Sequence, residues 1–108
     1  MIITIDEFKK MDLRIGKISS AERVKGSKNL IRMEVDVGEE KPRQLVAGLA
    51  SFYEPEELIE KHIVVLINLK PAKIFGLVSH GMLLAAVDAG KVSIISPDQT
   101  VSLGSRVE

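Results

Sequence analysis

LRIGKISSAERV, residues 13–24, spaces its apolar side chains Leu13, Ile15, Ile18, Ala21 and Val24 first by two and then by three. Alternate residues of a strand share a face, so the change of spacing predicts a bulge or a sharp coil, with Gly16 at the slip. A strand long and bent enough to coil this way serves two sheets. Before it, Thr4-Ile5-Asp6-Glu7 fits a capping box and predicts a short helix over about residues 5–10, with Phe8 and Met11 turned inward. After it, Gly26-Ser27-Lys28-Asn29 is a turn, and Ile31, Met33, Val35 and Val37 alternate with Arg32, Glu34 and Asp36 as a half-buried second strand. Residues 43–49 return as a third strand. Residues 55–61 read as a short helix, opened by Pro55 and two acids and closed by Lys61. Residues 62–69 form a fourth strand, β-branched and buried on both faces, and residues 82–87 a fifth. Lys91–Ile95 and Val101–Leu103 are short strands near the end. A shared first strand and one short helix between strands 3 and 4 predict an all-β chain: a five-stranded OB-fold barrel with extra terminal segments. Other small barrels and an α+β roll share parts of this order.

The chain has 108 residues, enough for one domain over 1–108. Its longest apolar runs are five or six residues, against about 20 for a membrane-spanning helix. The first residues lack the basic head of a signal peptide, and cysteine is absent, which fits a cytoplasmic protein. Net charge is zero, but it is segregated. Residues 9–32 carry eight Lys/Arg against two Asp/Glu, residues 33–60 two against eight, and residues 61–82 three lysines and no acid. Such asymmetry fits a patchy binding surface as well as alternating solvated faces.

Nothing here resembles an enzyme. His62 opens an apolar strand, and Ser79 and His80 are chain neighbours rather than a facing nucleophile and base. No nucleophile elbow, phosphate loop or dinucleotide fingerprint occurs, and two histidines twenty residues apart make no metal site. Neither a cofactor nor a metal is expected. Binding has more support. OB barrels take nucleic acid or sugar on strands 2 and 3 and the flanking loops, one of which joins strands 4 and 5. That connection here holds Lys70, Lys73, Ser79, His80 and Gly81. Arg32 lies on the polar side of strand 2, and Lys25 and Lys28 in the turn before it. These amines and guanidinium groups suit phosphate oxygens. Aromatics are few: Phe8, Phe52, Tyr53 and Phe75. Phe75 and Met82 read more readily as core than as base platforms, so shape and phosphate contacts should outweigh stacking.

Several blocks occur together and in order: Asp12–Ile18, Val35–Glu39, Arg43–Leu49, Tyr53–Leu58, Asn68–Lys73 and Ser79–Ala86. Through them nearly the whole chain resembles the tRNA-binding domain family. That family includes the C-terminal domain or separate beta subunit of methionyl-tRNA synthetase, free-standing bacterial tRNA-binding proteins, and the cytokine-like domain of synthetase-associated factors. The resemblance implies an OB-fold that binds tRNA by shape, and it implies a homodimer in stand-alone members. It carries over Asn68, Lys70, Lys73, Ser79, Gly81 and Met82, with Arg14 and Lys28 as basic positions. His80 stands where the family usually has glutamine, and residues 24–30 depart from its usual His-Pro turn.

The expected partners are tRNA, a second copy of the chain, and the catalytic chain of a methionyl-tRNA synthetase, with no membrane. Ile2, Ile3, Ile5, Val92, Ile94, Ile95, Val101 and Leu103 exceed what a five-strand barrel needs, and they are the expected dimer interface. Two other readings stand beside this one. CsaA-type export chaperones share the fold, dimerise and bind unfolded polypeptide. A docking domain that only dimerises a synthetase is the third.

Overall fold

Strand β1 (Leu13–Arg23) changes partners along its length. It pairs antiparallel with β4 (His62–Leu66) from Leu13↔Leu66 to Lys17↔His62, and with β2 (Ile31–Asp36) from Lys17↔Asp36 to Arg23↔Ile31. The computed structural model, which describes all 108 residues, shows why the apolar spacing shifts. Leu13 and Ile15 face a small cluster with Val64, covered by Phe8, Leu66, Leu103 and Val107. Ile18 faces the opposite side, into the main core. The step of three is a change of buried face. The bulge itself lies at Ser19, between the paired Ile18 and Ser20, and not at Gly16. Gly16 is required for another reason. A Cβ there would stand 2.8 and 2.9 Å from the Cγ1 atoms of Val35 and Val37, so only glycine lets the coiled strands approach.

Strand β3 (Arg43–Ala47) and strand β7 (Met82–Leu83) complete the sheet order β3-β2-β1-β4-β7, with β10 (Arg106–Val107) beside the start of β1. The two ends of the curled sheet meet. The His80 N–H donates to the Gln44 carbonyl at 2.8 Å, and the Val46 N–H donates to Ser79 Oγ at 3.1 Å. The result is a nearly closed, five-strand antiparallel barrel of the OB type. Ile18, Ile31, Met33, Val35, Leu45, Leu58, Ile63 and Val65 are sealed inside it. Two hairpins stand off the barrel: β5 (Ala72–Ile74) with β6 (Leu77–Ser79), and β8 (Ala85–Asp88) with β9 (Lys91–Ile94).

Helix α1 (Ile5–Phe8) has the expected capping box: the Glu7 N–H donates to Thr4 Oγ1 at 3.1 Å, and the Thr4 N–H to Glu7 Oε1 at 3.0 Å. It is one turn long, and Met11 is exposed rather than turned inward. Helix α2 (Pro55–Leu58) stops early because Ile59 is already extended and Glu60 takes a φ of 74°. The fourth strand ends at Leu66, not Leu69. The expected fifth strand divides at Leu84, whose N–H bonds Val64 in the barrel while its carbonyl accepts from Ile95 of the neighbouring segment. Residues 101–103 do not pair. Pairing to β1 begins instead where the Gly104 N–H donates to the Ile15 carbonyl at 2.8 Å. No helix is long and apolar enough to cross a membrane.

Candidate functional site

The β5–β6 hairpin leans from the barrel closure toward the turn joining β1 and β2. Its two-residue loop, Phe75-Gly76, has φ of 53° and 82°, and Ile74 pairs directly with Leu77. The Phe75 ring lies over Gly26 (φ 86°): its Cε2 and Cζ are 3.6 and 3.7 Å from where a Cβ on Gly26 would stand. Between hairpin and turn runs an open groove of about 540 Å³, lined by Glu22, Arg23, Val24, Lys25, Arg32, Phe75 and Leu77.

Charge around this groove is divided into pinned and free groups. Arg32 donates through Nε to Gln44 Oε1 at 2.7 Å, through Nη1 to Glu22 at 3.2 Å and through Nη2 to Glu34 at 3.2 Å. Its guanidinium is held flat on the sheet and its charge is compensated twice over. Lys25, Lys28, Lys70 and Lys73 are exposed and form no ion pair within the chain. The turn carries Lys25, which lines the groove, and Lys28, and the hairpin carries Lys73, while on the floor one guanidinium lies between two carboxylates.

The other expected site residues fall elsewhere or face inward. Ser79 is buried, accepting from the Val46 N–H and donating to the Gly81 carbonyl at 2.9 Å. Gly81 has φ 134°, and a Cβ there would meet the Leu66 carbonyl at 2.7 Å. Met82 is half-buried against the core. The His80 side chain is exposed, while its backbone joins the closure. The Asn68 amide accepts from the Asp12 N–H at 2.9 Å and donates to the Lys10 carbonyl at 2.7 Å. Arg14 belongs to the far end of β1, roughly 25 Å along the strand from the groove. It donates to Asp12 at 2.6 Å and to the Gly104 carbonyl at 3.1 Å. That guanidinium holds the Asp12 carboxyl below its ordinary range. Of the expected residues Arg32 lines the groove itself, while Lys28 lies in the turn and Lys70 and Lys73 at the hairpin that border it. Arg14 and Asn68 are not part of it.

Two residues here stand apart from the expected set read from the sequence. Phe75, read there as core, is 59% exposed. Arg43 forks onto Glu39 at 2.7 and 3.0 Å and donates to the carbonyls of Ile67 and His80, both at 3.0 Å. It ties β3 to both ends of the β4–β7 connection, and it holds the Glu39 carboxyl below its ordinary range. The Phe75-Gly76 tip does not read as a hairpin turn, because a bulky residue is disfavoured at the first position of a type I′ loop. Nothing local distinguishes Arg43.

The family model described as "Putative tRNA binding domain" matches residues 13–106. A methionine–tRNA ligase of Methanosarcina mazei is 55% identical over 107 residues, which are 98% of this chain and 15% of that protein. The chain therefore spans about 15% of the length of the curated relatives it matches. A crystal structure of a MetRS-related protein from Pyrococcus horikoshii superposes with a TM-score of 0.93 at 38% identity, covering 100% of this chain and 99% of that one. The chaperone CsaA of Bacillus anthracis superposes with a TM-score of 0.89 at 31% identity, covering both chains fully.

Proposed function

The chain belongs to the tRNA-binding domain family, and from that premise we propose that it binds tRNA by shape and phosphate contacts. In this reading it supplies binding, not chemistry. It serves methionyl-tRNA synthetase in the cytoplasm, as the beta subunit of that enzyme or as an equivalent stand-alone protein, and it works as a homodimer. The observation that carries the reading is the set of free lysines flanking the groove. Lys25 lines the groove, Lys28 lies in the same turn, and Lys70 and Lys73 extend the free charge onto the β5–β6 hairpin, so a ligand with spaced anionic groups gains more there than one with a single charge. Ser79, Gly81 and Met82 close the barrel behind that face, and Asn68 clamps the exit of β4. These residues shape the interface rather than touch the ligand.

Electrophoretic mobility shifts with bulk tRNA, repeated across salt concentrations, test this reading. Engagement of about four phosphates predicts a log–log salt slope of about −3 to −4. A slope near zero between low and physiological ionic strength overturns it. The full-length likeness to CsaA favours a second reading, a chaperone for unfolded polypeptide. A denatured peptide pool that displaces bound tRNA at equal concentration would support that alternative.

A further inference from the structure

Phe75 occupies a position that its backbone and its surroundings both disfavour. A two-residue hairpin loop with positive φ at both residues is the type I′ arrangement, whose first position favours asparagine because a bulky L-residue there is strained. The loop Phe75-Gly76 has φ of 53° and 82°. Burial offers no compensation, since the side chain is 59% exposed. The ring edge lies against the Cβ-free backbone of Gly26, itself at φ 86°. Gly26 supports one part of the ring and leaves the rest open to the groove, where Lys25 and Arg23 also line the wall. Strain of this kind, kept with so little burial, concentrates at ligand contacts.

We propose that Phe75 is a stacking platform for one unpaired nucleobase of the bound RNA. The proposal rests on the tRNA-binding reading and adds a contact that shape and phosphate recognition do not include. An aromatic face next to free ammonium groups is the arrangement by which single-stranded nucleic acid is held: the base lies on the ring and the adjoining phosphates meet the cations. With one ring available, the platform takes one base. It therefore favours an RNA with an extruded or looped-out nucleotide over a continuous duplex.

Two substitutions remove the face while the hairpin stays folded. Phe75→Asn suits the positive φ better than phenylalanine does, so lost binding in that variant cannot be ascribed to a damaged loop. Phe75→Leu keeps an apolar side chain over Gly26 without an aromatic face. Both are expected to weaken binding of bulk tRNA by about 5- to 100-fold at a fixed salt concentration, without changing the salt slope. Either variant binding as tightly as the parent overturns the platform. The sequence has no tryptophan, so Phe75→Trp introduces a single indole. Its emission should be quenched by a seven-nucleotide oligoadenylate and much less by a seven-base-pair duplex RNA. Equal quenching by the two, or none by either, also overturns the proposal. Because the oligoadenylate experiment needs no tRNA, it tests the platform even if the parent fails to bind tRNA, an outcome that counts against the proposed function alone.

Discussion

Ser79 and Lys73 lie six residues apart in one stretch of sequence and have unrelated tasks. Ser79 is 3% exposed, and its hydroxyl satisfies the Val46 N–H at the seam of the barrel. Ser79→Ala leaves that buried donor unpaired and is expected to destabilise the fold by about 1–3 kcal/mol, seen as a lower melting temperature. The side chains of Lys70 and Lys73 form no ion pair within the chain. Replacing both with alanine should change stability by no more than about 0.5 kcal/mol, yet weaken tRNA binding and make the salt slope shallower by about two. A double variant that binds tRNA as tightly as the parent removes these lysines from the interface. The residue types were legible in the sequence, and so was their proximity along the chain. Which of them faces the core was not, because Ser79 and Lys73 sit on opposite strands of a hairpin that Pro71 and the Phe-Gly tip conceal. Arg32 shows the same limit. Its position on the polar face of β2 was readable from alternation, but its neutralisation by Glu22 and Glu34 depends on strand register.

The barrel is closed at one seam by very few strand hydrogen bonds, and Arg43 reinforces it. One guanidinium grips Glu39 and satisfies the carbonyls of Ile67 and His80, which lie on either side of the β5–β6 hairpin. Lysine cannot reproduce that fork, so Arg43→Lys and Arg43→Ala should both loosen the seam. Alanine is expected to cost about 1–3 kcal/mol, and hydrogen exchange should rise first at His80 and Val46. The same clasp makes stability depend on acid. The Glu39 carboxyl is held below 4.5 by its hydrogen bonds to Arg43, and Asp12 below 3.8 by those to Arg14. Groups whose folded values are depressed stabilise the fold above their unfolded values, and that contribution is lost as pH falls through the folded ones. The melting temperature should therefore fall on acidification below about pH 4, and less steeply in Glu39→Gln. An unchanged pH profile in that variant excludes the clasp as the cause. At this scale the sequence was most legible where local rules govern: the capping box of α1, the alternation of β2 and the length of β1. It misplaced the ends of α2 and β4 and the division at Leu84, which are set by tertiary hydrogen bonds rather than by periodicity.

The whole molecule leaves apolar side chains that one barrel does not cover. Ile2 is 97% exposed and Val87 76%, and Ile3, Ile5, Ile95 and Val101 are also exposed. Ile94 is different. It is 8% exposed within the main core, and its N–H donates to the Tyr53 hydroxyl at 3.1 Å. Val92 packs against the same core and Leu103 against the smaller cluster, both only partly buried, so of the expected interface residues Ile94 alone is taken up by the single chain. The sequence showed an apolar surplus in the terminal segments; it could not divide that surplus between core and surface, because Ile94 and Ile95 are equivalent until the β8–β9 hairpin fixes which faces in. That division sharpens the expectation of a homodimer. Two copies pairing these faces about a two-fold axis would cover the surplus and present two lysine-flanked grooves to one elongated tRNA. Sedimentation at micromolar concentration should give twice the chain mass of 11.9 kDa. Ile95→Asp and Val87→Asp should yield a folded monomer with an unshifted far-ultraviolet spectrum and weaker tRNA binding. Ile94→Asp, by contrast, puts a charge among core residues and should prevent folding. A parent chain that sediments as a monomer and still binds tRNA with full affinity removes both the dimer and the need for two grooves.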